Sequence, residues 1–213
     1  MICLIGIDGS GKTTHARKII SHLQQSGDKC RYVWFGTPYF LSYPFMIICR
    51  TLGLTEIHRL PNKVICSEHQ YYRNKPVALI WPWIQFLDLA LFVFLQVYVS
   101  LLLEFTVVCD RFVYDILVEI MADINDTKLY EKLVGRLILR LKPRSTVVFF
   151  LDVNEKTALI RKQDIPNVRY LTCRRNNYCL ISRDLNILTA DAERPFNCVQ
   201  KHLVGQIDGM TSE

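Results

Sequence analysis

Gly6-Ile7-Asp8-Gly9-Ser10-Gly11-Lys12-Thr13-Thr14 stands directly after the apolar run Ile2–Ile5 and opens a stretch with helical spacing, Lys12–Gln25. The segment fits the phosphate-loop pattern GxxxxGK[ST], and strand, loop and helix in that order are the setting the pattern requires. Each residue type has a physical reason. Glycines permit backbone angles that turn successive N–H groups toward one anion, and the helix start adds the positive end of its dipole. Lys12 reaches the β- and γ-phosphates of a nucleotide, and the Thr13 hydroxyl is a magnesium ligand. Gly6, Asp8, Gly9, Ser10, Gly11, Lys12, Thr13 and Thr14 are therefore the expected ATP-binding residues. The bland alternative is a glycine turn carrying a surface lysine.

Working outward, short apolar runs alternate with longer helical stretches, the pattern of an α/β protein built on a parallel sheet. Strands are expected at Ile2–Ile5, Arg31–Phe35, Thr106–Cys109, Thr146–Leu151 and Asn186–Leu188. Helices are expected at Lys12–Gln25, Pro82–Leu103, Asp115–Asp123, Leu129–Leu141, Glu155–Arg161 and Pro195–Ile207, the last with its proline in the first turn. Residues 37–80 read as short helices and loops. Residues 162–184 carry Arg169, Arg174, Arg175 and Arg183 and read either as a lid or as a solvated basic helix.

The bulk properties agree with one globular domain, 1–213. Half the residues are hydrophobic and 22% are charged, which excludes a disordered chain. The formal net charge of +6 suits an enzyme of polyphosphates, and equally nucleic acid or an acidic membrane. None of the eight cysteines forms a CxxC pair or a zinc-finger spacing, which excludes a zinc ribbon and points to a reducing, cytoplasmic compartment. The apolar stretch Met1–Ile5 is too short for a signal peptide.

The loop resembles that of thymidylate kinases. In that family a loop aspartate, here Asp8, reaches the sugar 3′-hydroxyl of the acceptor. Val107-Val108-Cys109-Asp110-Arg111-Phe112 is similar to the family's Asp-Arg-Tyr motif, whose arginine grips the acceptor phosphate and whose aspartate lies near magnesium. Phe149–Val153 with Ala158–Arg161 looks like the strand and helix before the lid, where an arginine stacks on adenine; Arg161 is the candidate. Arg169-Tyr170 resembles a lid Arg-Tyr pair, which makes Arg169 a catalytic and Tyr170 an acceptor-binding candidate. Ala190-Asp191-Ala192 with Arg194-Pro195 resembles the closing loop that cradles adenine, so Asp191 and Ala192 join the ATP site. The resemblance implies a P-loop kinase fold, a five-stranded parallel sheet of order 2-3-1-4-5 flanked by helices, with a lid at about 162–178 that is shorter here than is typical of the family. It implies ATP and Mg²⁺, a nucleoside monophosphate acceptor, a homodimer and no nucleic acid. Thr13 and Asp110 would hold the metal, and Lys12, Arg111, Asp8 and Arg169 would carry the chemistry.

Three features depart from the family. Ile5 stands where a glutamate is common. Trp34-Phe35-Gly36-Thr37-Pro38 lacks the arginine that helps hold the acceptor. The helix Trp83–Ala90 offers Phe86 for stacking on the base, but no arginine follows one turn later. The function read from the residues and the resemblance together is transfer from ATP to a nucleoside monophosphate, dTMP first. The alternatives are another nucleotide or phosphorylated metabolite as acceptor, or a nucleotide-binding regulatory protein with little catalysis.

Trp83–Leu103 is nearly all apolar, and as a helix it is about 30 Å long, enough for a bilayer. A span would put Lys12 and Arg111 on opposite sides of the membrane, so the expectation is a core helix whose outer face packs on a partner subunit. Peripheral membrane contact is the alternative. Asp88 and Gln85 on this helix either line the acceptor pocket or are satisfied polar groups at its edge.

Overall fold

A computed structural model describes residues 1–36, 40–59, 65–162 and 164–211. Thr37 and Pro38 of the stretch after the second strand lie outside the described residues. In chain order the strands are β1 (Ile2–Ile5), β2 (Cys30–Trp34), β3 (Thr55–Arg59), β4 (Ile65–His69), β5 (Thr106–Asp110), β6 (Val147–Asp152) and β7 (Leu188–Asp191). Five of them form one parallel sheet in the order β2-β5-β1-β6-β7. β3 and β4 form a separate antiparallel hairpin. That hairpin, in a stretch expected as short helices and loops, shifts the later sheet strands from third, fourth and fifth in the chain to fifth, sixth and seventh. β1, β5 and β6 are buried along nearly their whole length. Their runs of Ile, Leu, Val and Phe without polar alternation are what burial on both faces selects.

The helices are α1 (Lys12–Gln25), α2 (Ser42–Thr51), α3 (Lys75–Val93), α4 (Val99–Leu102), α5 (Val113–Asp123), α6 (Leu133–Arg140), α7 (Glu155–Arg161), α8 (Val168–Asp184) and α9 (Phe196–Thr211). α3 passes through a π-turn at Phe94–Tyr98 into α4, giving one continuous helix of 28 residues. It begins two turns before the expected start at Pro82. Asn74 caps it by accepting from the Val77 amide at 3.2 Å, and Pro76 sits in its first turn. Those are ordinary start signals; the more conspicuous Pro82 is an interior residue that the helix tolerates. The stretch expected as lid or basic helix is for the most part α8. It packs inward through Leu171, Arg174, Asn177, Tyr178 and Ile181.

The long helix has two faces. Leu79, Trp83, Leu87, Leu91 and Leu95 are exposed at four-residue intervals, a stripe along its outer side. By length and composition it can cross a membrane, yet a third of its most apolar window is buried inside the protein. Its inner side carries Trp81, Gln85, Asp88 and Leu89.

Asp88 is one of the satisfied polar groups. Its carboxylate accepts from the backbone amides of Leu41 at 2.8 Å and Ser42 at 2.9 Å, and from the Ser42 hydroxyl at 2.5 Å. It thereby caps the start of α2 from a neighbouring helix, supplying partners to amides that have none within their own helix. Asp88→Ala should lower unfolding stability by about 3 kcal/mol, the loss of a buried charged acceptor. Asp88→Asn should recover part of it, as urea denaturation will measure.

Candidate functional site

The carboxyl ends of β1, β5 and β6 open on one edge of the sheet, where α/β proteins place their ligands. At the end of β1 the chain turns through Gly6–Gly11 into α1. Gly6 has φ 144° and Gly9 has φ 83°. A Cβ on Gly6 would stand 2.7 Å from the Leu151 carbonyl oxygen, and one on Gly9 would stand 2.5 Å from that of Ala158. Both positions are thus closed to other residues by backbone angle and by space. The loop is wrapped by its own lysine: the Lys12 ammonium donates to the carbonyls of Gly6 at 2.6 Å and Ile7 at 2.8 Å. Burial, with Arg111 nearby, lowers the Lys12 pKa to about 8. The Ser10 hydroxyl is buried inside the loop with no hydrogen-bond partner among the described residues. A native protein seldom leaves such a group unmatched unless something else fills the space.

β5 delivers the next two groups. Asp110 is buried at the strand's end and its Oδ2 accepts from the Thr13 hydroxyl at 2.5 Å and from the Tyr32 hydroxyl at 2.8 Å. Two hard oxygen donors, Thr13 and Asp110, therefore lie together beside the loop, a set that suits magnesium. Arg111 takes a left-handed conformation, φ 70°, that costs a non-glycine residue on the order of 1 kcal/mol. Its amide donates to the Leu4 carbonyl at 3.0 Å, and its guanidinium pairs with Asp8. Lys162 stands 3.6 Å from the same carboxylate. Burial alone would raise the Asp8 pKa, but Arg111, Lys12 and Lys162 outweigh it and hold the carboxyl well below the usual range.

Asp8 and Arg111 form one end of a cavity of about 430 Å³. Its walls are Trp34 and Phe35 from the end of β2, Met46 of α2, Ser67 and His69 of β4, Trp81 and Gln85 of α3, and Tyr170 and Arg174 of α8. Asp115, Glu119 and Asp123 of α5 complete it. Arg174 is buried, bonded to Glu119 through Nε at 2.8 and 2.9 Å and Nη2 at 2.5 Å, and its guanidinium lies 3.4 Å from the centre of the Tyr170 ring. Trp81 donates from its indole nitrogen to Asp123 at 3.0 Å. Gln85 is 1% exposed, and neither its amide nitrogen nor its amide oxygen has a partner among the described residues. Burial raises the Asp115 carboxyl to about 6 and lowers the His69 imidazole to about 4. The first is held by the Phe112 amide and the Tyr178 hydroxyl.

The expected residues divide accordingly. Asp8, Lys12, Thr13, Asp110 and Arg111 converge, and Tyr170 reaches the cavity wall. Arg161 donates to the Ala192 carbonyl at 3.0 Å, and Asp191 accepts from the Glu193 amide at 3.0 Å, so these three form a second group at the ends of α7 and β7. Thr14 is exposed on α1. Arg169 is exposed on the first turn of α8 and is not among the cavity's lining residues. Arg175, an alternative lid arginine, is held by Asp152 and Glu155. Phe86, expected to stack on the base, packs edge-on to Trp83 and is not among the cavity's lining residues. The inward face belongs to Trp81 and Gln85: Gln85 lines the cavity, one of the two places left open to it in the sequence, and Trp81 stands one residue before the expected helix start at Pro82. Arg174 is legible only as one basic residue of 162–184; its pairing with Glu119, and Tyr32 altogether, carry no local signal.

No protein-family model matches the chain, and no curated protein matches it.

The lysine leaves a thermodynamic mark. The unfolded chain keeps Lys12 protonated up to its ordinary value of 10.5, whereas the folded protein releases the proton at about 8. Between those values the unfolded state binds more protons, so stability rises with pH across that window; below it the buried charge costs stability in full. Lys12→Met should remove that rise, as paired urea titrations at pH 7.5 and 10 will show.

Proposed function

We propose that this chain is an ATP- and magnesium-dependent kinase of the P-loop type that phosphorylates a nucleoside monophosphate. One observation carries the reading. The glycine loop, whose Ser10 hydroxyl has no partner among the described residues, and the cavity holding Gln85 meet at Asp8 and Arg111. A nucleotide held by the loop and an acceptor held in the cavity would face each other there.

On this reading the loop amides, the Ser10 hydroxyl and Lys12 bind the donor's phosphates, and Lys12 trades its two carbonyl bonds for phosphate oxygens. Thr13 and Asp110 are the residues that would hold magnesium, which when bound screens the phosphate charges. Arg111 offers a planar grip on the acceptor phosphate, with Asp8 fixing its orientation until the acceptor arrives. The acceptor phosphate is already anionic, so no general base is required. Arg161 and Ala192 mark the adenine end. Trp81 supplies an aromatic wall for a base and Gln85 supplies one acceptor and two donors to its edge. Thymidylate kinases place an arginine one turn after the stacking aromatic, and Gln85 takes that place here. An amide can complement keto and amino edges alike, so dTMP is the first acceptor to test and the other monophosphates stand beside it. The exposed stripe from Leu79 to Leu95 is the surface on which a second copy would pack, and a cytoplasmic homodimer is the matching assembly.

The test is ADP release from ATP and Mg²⁺ in the presence of each nucleoside monophosphate. Turnover with at least one is expected. Lys12→Ala should abolish it, Arg111→Ala should lower acceptor kcat/KM about 100-fold, and Gln85→Leu should lower it about tenfold or more. ATP binding without product for any acceptor would replace the kinase with a nucleotide-binding regulatory protein. Full activity of Lys12→Ala would overturn the site itself.

A further inference from the structure

Tyr32 belongs to none of the motifs that single out the site, yet its hydroxyl enters it. The residue lies on β2, the edge strand, and pairs in register with Val108 of β5. Side chains two apart on a strand share a face, so Tyr32 looks to the same side as Asp110, toward α1. From there the phenol reaches along the sheet and donates to Asp110 Oδ2 at 2.8 Å. The same oxygen accepts from Thr13 at 2.5 Å. Both hydrogen bonds therefore converge on Oδ2, although the Tyr32 ring itself is 37% exposed at the sheet edge.

The arrangement has a consequence for a cation. Thr13 can give its proton to Asp110 while turning its own lone pairs to a metal. Asp110 Oδ1 takes no part in either bond. For the carboxylate to present that oxygen at a fixed angle, its rotation must be stopped, and a single bond from a threonine that must itself reorient is a poor stop. Tyr32 supplies the second, from a different element. Groups that orient a metal's ligands in this way set its affinity without touching it. We propose that Tyr32 is a positioning residue that locks Asp110 for magnesium, and that it sets how strongly magnesium and the nucleotide reinforce each other's binding. The proposal rests on the reading of Gly6–Thr13 as a phosphate loop.

The two can be separated by equilibrium binding alone. Titrate wild type and Tyr32→Phe with ADP and with ATP, in excess Mg²⁺ and in excess EDTA. Wild type should bind both nucleotides and bind them more tightly with magnesium. Tyr32→Phe should keep its affinity in EDTA within about twofold while the magnesium-dependent gain falls about tenfold. Mn²⁺ binding to the nucleotide complex, read by its paramagnetic signal, should weaken by the same factor. A merely structural tyrosine would lower the melting temperature and leave the magnesium gain as it is, and that result would overturn the role given to Tyr32. A uniform loss with and without metal would overturn it too. Wild type that binds neither nucleotide would overturn the phosphate-loop reading, and the role of Tyr32 with it.

Discussion

The site depends first on how closely two backbones approach. Gly9 lies so near α7 that even a methyl group would collide with the Ala158 carbonyl, and Gly6 is pressed against the Leu151 carbonyl in the same way. The turn after β1 is therefore moulded by β6 and α7, elements from the far half of the chain. That contact fixes the direction in which α1 departs. It brings Thr13 against Asp110 and Asp8 against Arg111, joining the end of β1 to the end of β5. Remove the clearance and these pairs separate together.

The charges around the loop are arranged in short, closed exchanges. Asp8 answers Arg111, Glu119 answers Arg174, and Asp152 with Glu155 answers Arg175. Burying any one of these groups alone would be expensive, and pairing is what makes them tolerable. Lys12 is the exception. It is buried against carbonyls and not a carboxylate, which explains why its proton is held weakly. A cation kept in that condition is unstable where it sits and would be relieved by an anion.

The parts legible in the sequence are those with strong local signals. β1, the glycine loop, α1 and α7 could be read because apolar runs, glycine spacing and helical periodicity act over a few residues. Asp110-Arg111 could be read because it ends an apolar strand. The start of α3 is not legible because Pro82 is a stronger local signal than Asn74 and Pro76. The β3–β4 hairpin is not legible because Thr55–Arg59 and Ile65–His69 mix polar and apolar residues without a strand period. In an almost wholly apolar helix, periodicity cannot say which face turns inward, so Trp81 carries no more signal than Phe86. Arg174 with Glu119, and Tyr32 with Asp110, are pairings between distant elements. They exist only once the sheet order is known, so no local reading could find them.

The three tryptophans fall in three different settings. Trp34 stands at the cavity mouth and is 58% exposed, Trp81 is buried in the cavity wall, and Trp83 is 39% exposed on the outer stripe. Indole emission shifts with polarity and contact, so the molecule carries its own set of optical reporters. A ligand entering the cavity would alter the first two, and a surface covering the stripe would alter the third. Single-tryptophan variants could therefore follow occupancy and assembly separately, with no dye attached.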